Sequence, residues 1–255
     1  MRKFISISII LFFLIVLLAS LVMITHHHKD SVKQNAVYEE LIETVESVST
    51  DNEVTIEFED NKTMYDGYSK LYERNNDMVG WIKIDGTKLN YPVMQSVDNP
   101  DFYLKHGFDK EYTDYGCPYV QENCDVLLPS DNIVIYGHNM DNGSMFATLD
   151  NYKSKSFYDE HKKISFDTLT SKNEYEIVAV FKTTVYSDDG FKYYEFTCAE
   201  KKEDFDNYIS KCKELSLYDT GVKAEYGDKL ISLSTCEYSN KNGRIVVVAK
   251  NINKT

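Results

Sequence analysis

The sequence predicts a mainly β domain that a single N-terminal segment holds at a membrane. Two observations support this prediction: Ile5–Thr25 contains no charged residue, and from Met78 onward the chain is a series of short alternating runs separated by turn signals. Runs of this kind pair into a sheet that closes as a barrel or packs as a sandwich. The 20 Tyr and 13 Phe residues are also typical of strands, because aromatic rings pack well on a pleated surface.

The composition of the chain limits its function. Its 255 residues are 42% hydrophobic and 27% charged, which is the range of a folded globular protein. The formal net charge is −13. A protein that binds along nucleic-acid phosphates needs the opposite sign, so the sequence argues against a nucleic-acid partner.

The apolar segment near the N-terminus is predicted to be an uncleaved signal anchor. A helix over Ile5–Thr25 spans roughly the 30 Å hydrocarbon core of a bilayer. A cleaved signal is the first alternative, but the apolar run is long and Ala19-Ser20-Leu21 is a poor cleavage site. A buried helix of a soluble protein is the second. Arg2 and Lys3 predict that residues 1–4 are a cytoplasmic tip, so the protein crosses the cell membrane once with its remainder outside.

Two further regions follow the anchor. Residues 26–77 are predicted to be a helical linker, because Val37, Leu41, Ile42 and Val45 recur at helical spacing. The same spacing predicts a second helix over Lys62–Arg74. Residues 78–255 are predicted to form the β domain.

Seven strands and one late helix are predicted in the β domain. The helix, over Glu200–Leu215, has one apolar face and precedes the next-to-last strand. The predicted strands are Trp81–Gly86, Leu89–Gln95, Asn132–Tyr136, Lys163–Phe166, Glu174–Val185, Lys229–Thr235 and Arg244–Lys250.

The five cysteines differ in their setting. Their spacing contains no Cys-x-x-Cys pair, so a zinc site is poorly supported. Small buried hydrophobic side chains are the prediction for Cys117, Cys124, Cys198 and Cys212. Cys236 is the exception, because side chains alternate along a strand. Ile231, Leu233 and Thr235 share the apolar face of its strand, and Cys236 lies on the other face with Ser232 and Ser234.

Arg244 and His138 are the candidate partners of Cys236. A turn signal over Glu237–Gly243 predicts a hairpin in which Arg244 faces Cys236, where its charge favours a thiolate and its donors stabilise an oxyanion. His138 follows another apolar strand, after Gly137, and a His exchanges protons near neutral pH. A solvated Arg at a strand end and a hydrogen-bonded surface His remain the alternatives.

Taken together, these motifs resemble those of the sortase transpeptidases, and within them class B. The resemblance rests on Leu233–Cys236 with Arg244 eight residues on and His138 about a hundred residues upstream. It also rests on the long helix before the Cys strand and on three sequence stretches. These stretches are Trp81–Thr87, Tyr91–Gln95 and Asn132–Leu149.

The resemblance implies an eight-stranded β-barrel with N-terminal helices and a long helix inserted before the Cys-bearing strand. It implies that Cys236 is a nucleophile, His138 a general acid and base, and Arg244 an oxyanion stabiliser. It further implies substrate contacts by Ser234 and Glu237. A looser alignment adds Asn99 and Leu104 to the same groove.

The reaction implied by the resemblance joins exported proteins to the cell wall. A C-terminal sorting peptide is cleaved after Thr through a thioester on Cys236, and a peptidoglycan amine accepts the acyl group. No metal or other cofactor is implied. Two alternatives remain open from the residues alone: a membrane-anchored cysteine protease that transfers the acyl group to water, and a non-catalytic barrel that binds wall or peptide.

Overall fold

The computed structural model of the chain describes residues 2–47, 53–54, 64–186 and 190–253. The chain divides into two compact units, one ending at Leu41 and one beginning at Ile42. The predicted helical linker includes residues 48–52 and 55–63, and for these the prediction lies outside the described residues.

The first helix, α1, extends over Arg2–Ser47 and contains the predicted anchor segment. Residues 10–26 of this helix are exposed. Its length and apolar composition are enough to cross a membrane, a test that a signal sequence also passes. The helical state of the segment is therefore compatible with a membrane anchor.

The described part of the second unit contains eight barrel strands and three further α-helices. The helices are α2 over Asp66–Arg74, α3 over Lys155–Glu160 and α4 over Lys202–Leu215. The strands are β1 over Met78–Lys83, β2 over Asn90–Met94, β3 over Tyr119–Val120, β4 over Asn132–Tyr136, β5 over Lys163–Thr168, β6 over Glu174–Thr184, β7 over Leu230–Cys236 and β8 over Gly243–Asn251.

The eight strands close into a barrel in the order β8-β6-β5-β1-β2-β3-β4-β7. This confirms the predicted eight-stranded barrel. β7 lies between β4, with which it runs parallel, and β8, with which it runs antiparallel. The C-terminal ends of β4 and β7 and the start of β8 therefore meet on one side of the barrel.

Three elements differ from the sequence prediction for physical reasons. The first strand covers Met78–Lys83 instead of Trp81–Gly86, because the chain turns at Gly86, whose φ is +75°. The second helix begins at Asp66 instead of Lys62, because Met64–Tyr65 is extended and pairs with Glu53–Val54. β3 was not predicted from the sequence, because it has only two residues and these are too few to show an alternating pattern.

Both faces of β7 are buried up to its last residue. Ile231 and Leu233 are fully buried on one face. On the opposite face, Ser232 contacts Tyr208 of α4 and Ser234 contacts Tyr193, which precedes α4. Ser232 and Ser234 on that face are 0% and 1% exposed. The alternation of the strand was therefore predicted correctly, but its polar face is not a solvent face until Cys236.

Candidate active site

Strand register brings Cys236, His138 and Arg244 together at one end of the barrel. Arg244 on β8 is the direct antiparallel partner of Cys236. In the parallel pair β4–β7, Tyr136 is level with Ser234. His138 follows two residues after the end of β4, and the side-chain amide of the next residue, Asn139, bonds to the Cys236 carbonyl at 2.9 Å. The candidate nucleophile therefore lies opposite Arg244 and is bonded to the segment that carries His138.

Cys236 is the last residue of β7 and its side chain is half-buried. Its backbone is held on both sides. The Cys236 carbonyl accepts a hydrogen bond of 2.9 Å from the side-chain amide of Asn139. The N–H of the next residue, Glu237, donates to the carbonyl of Gly243 at 2.9 Å. The thiol is thus carried on a fixed segment at an accessible strand end.

The ring of His138 is oriented by a main-chain carbonyl. Its Nε2 lies 2.7 Å from the Leu104 carbonyl oxygen, and because that oxygen can only accept, Nε2 carries the proton. Burial lowers the pKa of His138, although the Leu104 hydrogen bond and nearby Asp114 oppose the shift. A neutral ring whose Nδ1 can take a proton is the form that this setting favours.

Gly137, between β4 and His138, leaves room for the ring of Phe146 against the backbone. A Cβ at this position would lie 2.6 Å from the ring of Phe146. The N–H of Phe146 donates to the His138 carbonyl at 2.8 Å. Close packing of Phe146 against a bare backbone therefore fixes the residue that follows the strand.

Arg244 is half-buried, and one of its guanidinium nitrogens, Nη1, donates to the Gly243 carbonyl at 2.9 Å. A guanidinium carries five N–H donors in a planar fork, so this bond leaves donors that can reach a ligand. Gly243 must be glycine here, because a Cβ would lie 2.4 Å from the Glu237 carbonyl oxygen. The strand pairing thus places a cationic donor on the residue directly opposite Cys236.

Two of the predicted substrate contacts have internal partners. The hydroxyl of Ser234 lies 2.6 Å from the hydroxyl of Tyr193. The carboxylate of Glu237, 3% exposed, lies 2.6 Å from Lys153 Nζ and 3.4 Å from Lys182 Nζ. Burial acts to raise the pKa of Glu237, but hydrogen bonds from Lys153 and Ser239 outweigh it and hold that pKa at about 2. A substrate contact by either side chain stays a prediction.

The remaining predicted groove residues lie in the loop after β2. Leu104 ends a 3₁₀ turn over Phe102–Leu104, and it is 38% exposed. Asn99 is exposed, and its carbonyl accepts from the N–H of Phe102. The sequence analysis predicted that Leu104 lines the substrate groove. In the structure, the main-chain carbonyl of Leu104 contacts the ring of His138.

Asn139 and Tyr238 were missed by the sequence analysis. The Asn139 carbonyl accepts a hydrogen bond of 3.1 Å from the hydroxyl of Tyr238, which is otherwise 73% exposed. Both residues stand within two positions of a candidate catalytic residue, His138 or Cys236. Proximity in sequence was the only signal that could have identified them.

The other four cysteines differ from one another. All five cysteines lie in the described ranges, and each is a free thiol. Cys117, Cys124 and Cys212 are buried as predicted, and burial raises the thiol pKa of Cys124 to about 11 and of Cys212 to about 12. The prediction was wrong for Cys198, which is exposed because it lies in the irregular segment before α4. Within the described residues, no group of three His, Cys, Asp or Glu side chains is arranged to hold a metal ion.

Comparison with known proteins gives consistent matches. Residues 82–252 match the model of the sortase domain family. Sortase B of Listeria monocytogenes is 38% identical over 197 residues, which are 76% of this chain and 77% of that protein. The solved Staphylococcus aureus sortase B–substrate complex superposes with a TM-score of 0.77 at 30% identity, covering 89% of this chain and all of the other. A structure of sortase B complexed with triglycine has a TM-score of 0.76 at 30% identity, covering 88% of this chain and all of the other.

Proposed function

The chain belongs to the sortase family, within its class B, and on this basis we propose that it is a cysteine transpeptidase whose nucleophile is Cys236. The observation that supports the proposal is the pairing of Cys236 with Arg244 on β8, together with the hydrogen bond from Asn139, the neighbour of His138, to the Cys236 carbonyl. The substrate is a C-terminal sorting peptide of an exported protein, cleaved after Thr. The acceptor is an amine of the peptidoglycan peptide.

The first half of the reaction forms a thioester. The thiol proton of Cys236 passes to Nδ1 of His138, which is the ring nitrogen that the Leu104 hydrogen bond does not use. The thiolate attacks the Thr carbonyl carbon, and Arg244 donates to the oxyanion that develops on its oxygen. His138 then gives the proton to the departing amine as the C–N bond breaks. The acyl part of the peptide stays on the Cys236 sulfur.

The second half of the reaction reverses these roles. The incoming amine attacks the thioester carbon while His138 removes a proton from the amine nitrogen. The tetrahedral oxyanion is again stabilised by Arg244, and the C–S bond breaks to release the Cys236 thiolate. The proton on His138 returns to that sulfur. The net result exchanges one amide bond for another, so the balance of the reaction needs no metal, oxidant or other cofactor.

Substrate class and location have separate support. One solved relative is described in complex with its substrate and another with triglycine, which supports a peptide donor and an amine acceptor. The apolar part of α1 supports a single-pass anchor in the cell membrane with the barrel outside. An enzyme held there meets exported proteins and wall precursors at the same surface.

The test uses the full-length chain in detergent with a library of short peptides that carry Thr before the scissile bond, each with and without triglycine. Mass spectrometry should find the peptide fragment joined to triglycine, and a Cys236→Ala variant should form neither this product nor the thioester. A Cys198→Ala variant is the matched control and should remain active. Hydrolysis that triglycine never diverts would identify a protease instead, and turnover by Cys236→Ala would refute the assignment of the nucleophile.

A further inference from the structure

After the end of β4, the side-chain amide of Asn139 takes the place of a main-chain hydrogen bond to β7. The main-chain N–H of Gly137 donates to the Ser234 carbonyl at 3.2 Å. In a regular parallel pair the next bond from the same strand would run from the N–H of residue 139 to the carbonyl of residue 236. Here the side-chain amide of Asn139 makes that bond, at 2.9 Å to the Cys236 carbonyl. The segment can therefore turn away from the sheet at His138 without losing its attachment to the Cys-bearing strand.

Asn139 is itself fixed from two other directions. Its carbonyl accepts the hydrogen bond from the hydroxyl of Tyr238, two residues after Cys236. Its backbone also forms an isolated antiparallel bridge with Met145. One residue thus ties the segment that carries His138 to the strand end at Cys236 and to the turn after it.

We infer that Asn139 is a positioning residue that sets the distance and angle between the His138 ring and the Cys236 sulfur. This inference rests on the proposed function of these two residues. Asn139 is covalently adjacent to His138, so any displacement of Asn139 is passed directly to the ring. A misplacement of about 1 Å in a reacting group can cost on the order of a hundredfold in rate.

The experiment compares Asn139→Ala with Asn142→Ala in the full-length chain, using the best peptide of the library and triglycine. Asn142 is a matched control from the same loop, since its side-chain amide donates to the Tyr115 hydroxyl at 3.2 Å and its Oδ1 accepts from Ser144. We expect Asn139→Ala to lower kcat by about ten- to a hundredfold, with KM for the peptide within about twofold. Asn142→Ala should stay within about threefold of wild type in both constants.

Two further variants separate positioning from folding. Asn139→Asp keeps the shape but removes the donor, so it should lose at least as much kcat as Asn139→Ala. Asn139→Gln keeps the donor on a longer arm and should recover part of the loss. The melting temperatures of these variants should change no more than that of Asn142→Ala.

The outcomes discriminate between the inference and the function on which it rests. A kcat for Asn139→Ala or Asn139→Asp equal to that of Asn142→Ala would overturn the inference, as would a loss that follows the melting temperature across the four variants. If Cys236→Ala retained turnover, the proposed function would fail first. If Cys236→Ala is inactive and Asn139→Ala is normal, only the positioning role is wrong.

Discussion

One face of β7 has a covered part, at Ser232 and Ser234, and an open end, at Cys236, and the two have opposite environments. In the middle of the strand, the Ser232 hydroxyl lies 2.8 Å from Asn132 Oδ1 and 2.9 Å from the Tyr208 hydroxyl of α4. Ser234 is bonded to Tyr193 in the same covered region. Cys236, the next residue on this face, is half-buried beside Arg244.

The difference shows that burial by neighbouring elements, and not the alternation of the strand, decides which side chains of this face are available for chemistry. In the covered part the two serine hydroxyls are bonded to Tyr208 of α4, to Asn132 and to Tyr193, and a fully satisfied buried network gives a fixed structure. At the end of the strand, the same face carries the half-buried Cys236, which pairs with Arg244. Variants in the covered part should therefore change stability, and variants at the open end should change turnover.

The largest effect is expected at the open end, for Cys236→Ala. Without the sulfur no thioester can form, so peptide transfer to triglycine should fall below detection while the melting temperature stays near that of wild type. Iodoacetamide labelling should be measured in a Cys198→Ser background, because Cys198 is also exposed. In that background the native Cys236 should label readily near neutral pH and Cys236→Ala should not. An unreactive Cys236 would contradict its role as nucleophile.

In the covered part, Phe205→Ala should destabilise the fold strongly. Phe205 on α4 is fully buried, and loss of such an aromatic side chain typically costs about 3–5 kcal/mol. Urea unfolding should show this decrease, whereas Asn207→Ala on the exposed side of α4 should change the free energy of unfolding by less than about 1 kcal/mol. An unchanged free energy of unfolding for Phe205→Ala would show that the packing of α4 does not stabilise the fold.

Much of this division was predictable from sequence. Most strands, α4 and the pairing of Arg244 with Cys236 follow from strand periods, the helical spacing before β7 and the turn signal after it, whereas the closed barrel was implied by the family resemblance. These are local patterns, and each of them extends over several residues. The structure adds which of them become neighbours in space.

The polar contacts of the site were not predictable in the same way. The Leu104 carbonyl reaches His138 across 34 positions, and the Glu237 carboxylate reaches Lys153 across 84. Neither contact leaves a periodic signal, because a carbonyl is present in every residue and a lysine is common on any surface. The site roles of Cys236, His138 and Arg244 remain predictions, and the variants of Cys236 and Arg244 described here test two of them.

At the open end, Arg244→Lys should separate charge from geometry. A lysine keeps the positive charge but lacks the planar fork of donors. Removal of one oxyanion donor typically costs on the order of a hundred- to a thousandfold in kcat. We expect a loss of that size in peptide transfer, with Cys236 still labelled by iodoacetamide in the Cys198→Ser background. Turnover above about a third of wild type would show that charge alone suffices.

The smallest effect is expected where the two regions meet, for Glu237→Gln. This residue directly follows Cys236, but its carboxylate is buried with Lys153 and Lys182, so its main contribution should be to stability. A hydrogen bond to a charged group is worth about 1.5–3 kcal/mol, and we expect a loss in that range at about pH 7 in urea unfolding. Glu174→Gln is the matched control, because its ion pair with Lys163 is exposed and should contribute less than about 1 kcal/mol.

The pH dependence of the Glu237→Gln effect gives a sharper test. The folded state holds the pKa of Glu237 at about 2, below its ordinary value of 4.5, so the carboxylate stabilises the fold fully above pH 4.5. That contribution is lost as the pH falls from about 4.5 toward about 2, because the unfolded state binds a proton in this window while the folded carboxylate stays ionised until about pH 2. The difference in unfolding free energy between wild type and Glu237→Gln should therefore shrink over this window. A difference that stays constant from about pH 7 to about pH 3 would show that the carboxylate charge does not stabilise the turn after Cys236. A large loss of kcat at unchanged stability would assign Glu237 to the open end instead.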